Sequence, residues 1–247
     1  MEENKYLRVT DIIKRLMPPI PSEIEAIVKA KGEIGTCVHT LIDNYLQGVP
    51  LFYGAQSREE AFFESWRMWY EAKRPEILMQ ESRLFCDDLM ITGQVDAVMQ
   101  MGGDLVLVDY KTSSAEGKLS DGSSSWNMQA HFYHYLLQRN FFDISDRMIF
   151  LQLRERKDIF LISEDKEARI KPTELSKMIS SFDEADRKVI NEKIRRVGEF
   201  EFEEEGKKRK ILVQYTPKIA NIFEYNNDKN IGSRCIEETK KAWKEIQ

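Results

Sequence analysis

Cysteine is scarce in this chain. Only Cys37, Cys86 and Cys235 occur in 247 residues, and no two form a C-x-x-C pair. That excludes a zinc site or an iron–sulphur cluster built from cysteines alone. An odd, widely spaced set also argues against a disulfide framework and for a reducing compartment. Long apolar runs are absent as well: nothing approaches the roughly 18 residues a membrane-crossing helix needs. The opening MEENKYLRVTDIIKRLMPP has early acids and no apolar stretch followed by small residues. It reads as neither a signal nor a transit peptide, and a cytoplasmic location in a prokaryote or virus is the expectation. An excess of positive charge is lacking too. With a formal net charge of -5, any polyanionic partner would have to be met by a local basic cleft, not by the whole surface. Repeats and low-complexity blocks are also missing.

What is present is a mixture suited to one well-cored α/β domain, 42% hydrophobic and 32% charged. Residues 9–16 read as a short helix stopped by Pro18-Pro19. Residues 22–31 read as a second helix, with Ser22 as its cap before Glu25. Gly35 opens a third, over 35–46, closed by Gly48 and Pro50. A fourth, over 59–73, carries Phe62, Phe63, Trp66, Trp69 and Tyr70. From Gln80 the period becomes strand-like: residues 81–86, 92–100 and 105–111 form an antiparallel meander, turned at Asp87-Asp88 and Gly102-Gly103. A Gly/Ser-rich loop over 112–125 leads to a helix over 126–139. Strands over 148–153 and 159–163 follow, then one long helix over 172–197 with apolar residues at helical spacing. The acidic-then-basic stretch 199–210 reads as an exposed turn or hairpin, and the residues after it take no assignment. The expected architecture is a mixed sheet with helical cover and a helical N-terminal part. Its expected parts are 1–75, 76–200 and 201–247, within one integrated domain.

The informative segment is ITGQVDAVMQMGGDLVLVDYKTSS. Asp96 lies in one strand, and Asp109-Tyr110-Lys111 ends the next. Alternate residues of a strand share a face, so Asp109 and Lys111 point the same way. Val106, Leu107 and Val108 before them mark a strand buried on both faces. An acid and a lysine there are costly unless paired or metal-bound. The Gly102-Gly103 turn can bring Asp96 alongside Asp109, and two hard carboxylates converging on a point suit Mg²⁺ or Mn²⁺. Lys111 could then orient or deprotonate an attacking water, or neutralise charge on a scissile phosphate.

G-x-x-D followed by D-x-K-T resembles the signature of the PD-(D/E)xK nucleases; here it reads Gly93-Gln94-Val95-Asp96 and Asp109-Tyr110-Lys111-Thr112. Three flanking elements resemble the RecB-like, Cas-type exonuclease branch. They are G-T-x-x-H at Gly35 to His39, Glu81 on the strand before the aspartate, and Q-x-x-x-Y at Gln129 to Tyr133. The resemblance implies a restriction-endonuclease-like core with a central mixed sheet flanked by helices. It implies His39, Asp96, Asp109 and the Tyr110 carbonyl as metal ligands, Lys111 as the catalytic lysine, Gln129 and Tyr133 as supporting or DNA-contacting residues, and Glu81 as an orienting acid. The implied partner is DNA, single-stranded or with free ends, and the implied cofactor is Mg²⁺ or Mn²⁺. Members with an iron–sulphur cluster carry four cysteines around it, so this chain resembles the cluster-free ones. Without G-x-x-x-x-G-K-[ST] it carries no helicase motor of its own, and a helicase or recombination partner stays open.

Plainer readings stand beside these. A lone D-x-K at a strand end is usually a surface turn, and a lone histidine a satisfied polar residue. Gln129 and Tyr133 could be a packing pair, four apart on one helix face. Glu81 could be a strand-edge carboxylate. His131 and His134 read as exposed or structural. The aromatic helix reads as core more readily than as a base-stacking platform. The 112–125 loop could close over a substrate or be solvated, and Lys207 to Lys210 read as a solvated face. A structure-specific endonuclease, an RNase and a non-catalytic nucleic-acid-binding module remain as alternatives to a single-strand exonuclease.

Overall fold

A computed structural model describes residues 5–51, 57–113, 125–140, 142–163, 166–204 and 206–246. Most of the 112–125 loop lies outside the described residues. The N-terminal part is a short strand β1 (Leu7–Arg8) and helices α1 (Val9–Leu16), α2 (Ser22–Leu46) and α3 (Arg58–Lys73). The meander follows as β2 (Glu76–Cys86), β3 (Ile91–Met101) and β4 (Asp104–Thr112), then α4 (Ser125–Arg139). The chain continues through β5 (Arg147–Ser163), β6 (Lys166–Arg169), α5 (Pro172–Ser180) and α6 (Glu184–Lys193). It ends with β7 (Gly198–Glu204), β8 (Lys207–Asn226) and α7 (Lys229–Ile246). No helix of the described residues is long and apolar enough to cross a membrane.

The strands make one mixed sheet in the order β1-β3-β4-β5-β8-β7, with β2 also on β3 and β6 also on β5. The meander pairs are antiparallel, β4 runs parallel to β5, and β1 runs parallel to β3. Parallel pairing needs a crossover, and α4 supplies the one between β4 and β5. Helices cover both faces. On one, α1 and α4 pack with Val95, Val98, Leu107 and Phe150. On the other, Val38 and Ile42 of α2 and the aromatic residues of α3 pack on Ala97, Met99, Val106, Val108 and Tyr110. Phe62, Phe63, Trp66 and Trp69 are therefore core. Trp66 stacks on Tyr70 with centroids 4.8 Å apart. A capping box starts α3, with Ser57 accepting from the Glu60 amide and Glu60 accepting from the Ser57 amide.

Four expected elements differ, each for a physical reason. α2 runs unbroken through Gly32 and Gly35 because its second half is anchored by buried Val38 and Ile42. The two glycines cost about 1 kcal/mol each, which that packing outweighs. Ser22 is the first helical residue, not the cap; Pro21 holds that position without a side-chain bond. The expected long helix over 172–197 is two, because Asp183 caps a new start by accepting from the Asp186 amide at 2.9 Å. The two expected strands over 148–163 are one. Its charged middle, Arg154 to Asp158, hides the strand pattern but is satisfied laterally: Glu155 pairs with Arg58 at 2.9 Å, and Asp158 with Arg156 and Arg169. The stretch 199–210 is a hairpin turning at Gly206 (φ 74°), and its second strand runs on along β5 to Asn226.

Candidate active site

The site forms where β3 and β4 part. They pair from Met101 with Asp104 to Ala97 with Val108, and the ladder ends there. Beyond it β1 takes the same edge of β3, at Ile91 and Thr92, while β4 stays on β5 as far as Thr112. Asp96 and Asp109 are the first residues past the last rung. A backbone amide released from a ladder needs another acceptor. The Tyr110 N–H donates to Asp96 Oδ2 at 2.7 Å, which pins that carboxylate and leaves Oδ1 towards His39, 3.7 Å from Nδ1.

The meander supplies a second acid. Glu81 lies between Gln80, paired with Ala97, and Ser82, paired with Val95, so it sits opposite Asp96. Its φ is 44°. A non-glycine residue held in that region costs on the order of 1–3 kcal/mol, and such residues gather at functional sites. Glu81 Oε1 lies 2.8 Å from His39 Nδ1, and Glu81 Oε2 accepts from Gln94 Nε2 at 2.7 Å. His39 arrives from α2, across the sheet, its ring edge-on to Tyr110 with centroids 5.7 Å apart. One donor atom from each of His39, Glu81 and Asp96 can be chosen so that all lie within 4.8 Å of one another.

Asp109 and Lys111 share a face of β4, and Lys111 Nζ lies 2.5 Å from Asp109 Oδ2. Asp109 is 1% exposed, and its Oδ1 has no hydrogen-bond partner among the described residues. A buried carboxylate oxygen left in that state is costly unless a cation takes it. Lys111 also donates to Gln129 Oε1 at 3.1 Å, and Gln129 donates to the Tyr133 hydroxyl at 2.8 Å. The Lys111 ammonium lies 5.7 Å from the Trp126 ring centroid, a cation–π distance.

Burial lowers the His39 imidazole, but Asp96, the Glu81 bond and Asp109 outweigh it and raise the group to about 9. Burial, then the neighbouring Asp109 charge, raises Asp96 to about 7. The His39 shift expresses the negative charge gathered around it, and the Asp96 shift expresses first its burial and then the same charge. Imidazole and carboxylates within reach of one point, with an orphaned buried carboxylate oxygen alongside, fit a hard divalent cation.

Of the residues expected from sequence, His39, Glu81 and Asp96 meet at one point, and Asp109, Lys111, Gln129 and Tyr133 form an adjoining bonded chain. Asp109 is not in the three-residue donor group, and Glu81, expected only to orient, is. Tyr110 contributes its amide to Asp96, while its ring enters the core. His131 and His134 are buried, correcting any exposed reading: His131 Nδ1 is 2.7 Å from the Asn127 carbonyl and its Nε2 accepts from the Asp228 amide, and His134 Nε2 is 3.0 Å from the Ser145 carbonyl. Gln94 was not anticipated as a partner of Glu81; its place inside G-x-x-D was the only signal. Gly93 has a steric reason. A Cβ there would stand 2.7 Å from Tyr133 Cε1 and 2.9 Å from Leu136 Cδ1, so only glycine lets α4 lie this close to β3.

The sheet thus splits beside paired acids and a lysine, and a charged centre stands where two strands part. The family model of the PD-(D/E)XK nuclease superfamily matches residues 43–209, more than half of the chain, and the chain belongs to that superfamily. It is therefore a nuclease, with nucleic acid as substrate, and nucleases of this superfamily use divalent metal ions. Among solved structures, a phage-related exonuclease from Haemophilus somnus 129PT matches at 13% identity and TM-score 0.36, covering 100% of both chains. The protein SSO0001 matches at 16% identity and TM-score 0.31, over 78% of this chain and 76% of that one. Both likenesses are too remote to assign a substrate. No curated protein matches the chain significantly.

Proposed function

We propose that this chain is a Mg²⁺- or Mn²⁺-dependent deoxyribonuclease, an exonuclease acting on single-stranded or frayed DNA ends. The supporting observation is the convergence of His39, Glu81 and Asp96 within 4.8 Å, beside the Asp109–Lys111 pair. His39, Asp96 and Asp109 would hold the ion, with Glu81 as a further ligand or as the acid that orients His39. A divalent ion there supplies Lewis acidity for the phosphoryl group and its attacking water. Asp96 is held for that task by the Tyr110 amide, and Asp109 by Lys111. The Lys111 ammonium, steered by Gln129 and Tyr133, offsets charge that builds on the scissile phosphate. Its contact with Asp109 Oδ2 at 2.5 Å holds it in place beside the carboxylates. The whole chain then works as one nuclease unit, in which residues 1–75 bring His39 and 201–247 extend the sheet.

The experiment is cleavage of 5′- and 3′-labelled single-stranded DNA by wild type and Lys111→Ala with Mg²⁺, Mn²⁺ or EDTA. Cleavage that needs the ion and is lost in the variant supports the reading. Cleavage of a circular single strand would point to an endonuclease with the same centre, and faster cleavage of a matched ribo-oligonucleotide would point to an RNase. DNA binding with no cleavage under any divalent ion would leave only a binding module.

A further inference from the structure

Near the carboxylate cluster opens a cavity of about 470 Å³, whose lining includes Arg8, Thr10, Arg83, Gly93, Gln94 and Tyr133. Three of its lining residues, Thr36 among them, connect it to the centre. Gln94 is hydrogen-bonded to Glu81, Tyr133 to Gln129, and Thr36 precedes His39 by one turn of α2.

Its chemistry is opposite to that of the cluster. Two arginines line it and, among the described residues, no aspartate or glutamate does, in a chain whose net charge is -5. The hydroxyls of Thr36 and Thr92 donate inward, to the carbonyls of Gly32 and Leu84. Arg8 and Thr10, both exposed, face an occupant, and Tyr133, whose hydroxyl accepts from Gln129, keeps its own proton to donate. The first turn of α1 opens onto the same space with no side-chain cap, and the acid in that turn, Asp11, is paired with Lys14. The positive end of the helix thus adds to the guanidinium charge. A planar fork of N–H donors matches phosphate oxygens two at a time. The cavity's size and polarity suit a tetrahedral dianion or a diester, and the arginines on its wall disfavour a cation.

We propose that this cavity is a phosphate subsite, in which Arg8 and Arg83 hold a phosphate of the strand whose neighbouring bond lies at the carboxylate cluster. The proposal rests on the nuclease reading above and deepens it. Arg83 also interacts within the chain, so the test turns on Arg8, an exposed residue. The phosphate could be a terminal monoester or an internal diester.

Binding is measured in EDTA, where no cleavage occurs, by anisotropy of single-stranded oligonucleotides over a salt series. The strands carry a phosphate or a hydroxyl at either end, and a circular strand completes the set. Wild type is compared with Arg8→Ala, Arg8→Gln and Arg8→Lys; Arg8→Gln keeps most of the stem packing while removing the charge. Loss of one phosphate contact lowers the slope of log K against log salt by about 0.7, with an expected tenfold weaker affinity, and Arg8→Lys retains the slope. A penalty confined to strands with one phosphorylated end assigns a terminal phosphate; an equal penalty on every strand, the circle included, assigns a backbone diester. Unchanged slope and affinity in both neutral variants overturns the subsite. With metal restored, the same variants raise KM and leave kcat near wild type. If wild type cuts nothing with any divalent ion, the nuclease reading fails while the binding slopes still decide the subsite.

Discussion

Replacing Gly93 with alanine tests whether the motif glycine exists for steric reasons. The new Cβ would meet Tyr133 Cε1 at 2.7 Å, Leu136 Cδ1 at 2.9 Å and Tyr133 Cδ1 at 3.1 Å. Neither neighbour can swing clear, since Tyr133 is 3% and Leu136 0% exposed, and the Tyr133 hydroxyl is bonded to Gln129. Helix α4 must therefore lift off β3 by several tenths of an ångström. Overpacking of this kind costs about 1–3 kcal/mol. At roughly 2–4 °C per kcal/mol for a chain of this size, the thermal midpoint should fall by roughly 2–12 °C. The same shift stretches the 3.1 Å Lys111–Gln129 bond. Misplacement approaching 1 Å costs about a hundredfold in rate, so kcat on single-stranded DNA should drop about ten- to a hundredfold. Gly32→Ala is the control: nothing lies within 4 Å of its Cβ position, and alanine there should stabilise α2 by up to about 1 kcal/mol. Calorimetry and steady-state cleavage give both readouts, and the Gly93→Ala/Tyr133→Ala double variant should lose less stability than the two single losses added together, because the clash vanishes with the ring. A Gly93→Ala protein that melts and cuts like wild type would refute the argument.

Removing the lysine with Lys111→Met should abolish metal-dependent cleavage. It should also destabilise the metal-free protein by about 3–5 kcal/mol, because Asp109 is left buried without its cation, and urea denaturation would show this. Metal affinity should rise with pH between 7 and 9, about tenfold per unit for the His39 proton that must leave, then level off above about 9, where His39 is already neutral. Calorimetric titration of Mn²⁺ checks it, and a flat profile would mean that His39 is no ligand. In metal-free protein the sign is opposite. His39 is raised from 6.5 to about 9 on folding, so its stabilisation is full below pH 6.5 and is lost as pH rises through 9; melting in EDTA across that window reads it. Trp66→Ala should cost about 3–5 kcal/mol, since Trp66 is 0% exposed and stacked on Tyr70; a loss under 1 kcal/mol would contradict its central place in the core.

Local signals carried much of the fold. α1 was legible from its apolar spacing and the prolines behind it, α3 from its aromatic residues, and the β2–β3–β4 meander from alternation and its two turns. G-x-x-D and D-x-K-T are local as well, because each needs only a few residues on one strand. Signals failed where a distant partner outweighed the local pattern. The middle of β5 looks like a break until Arg58, Arg169 and Thr216 are seen to satisfy Glu155 and Asp158. The two glycines of α2 look like a boundary until Val38 and Ile42 are found anchored in the core. At the site, the sequence by itself determined which residue types stand on which strands: an acid on β3, an acid and a lysine on one face of β4. Only the tertiary structure decided that β3 and β4 part at those residues, that Glu81 turns to φ 44° opposite Asp96, and that His39 reaches Glu81 across 42 residues of chain. Periodicity records which way a side chain faces within its own element. Where a strand leaves its neighbour, and what crosses the gap, is settled by packing between elements that share no local pattern.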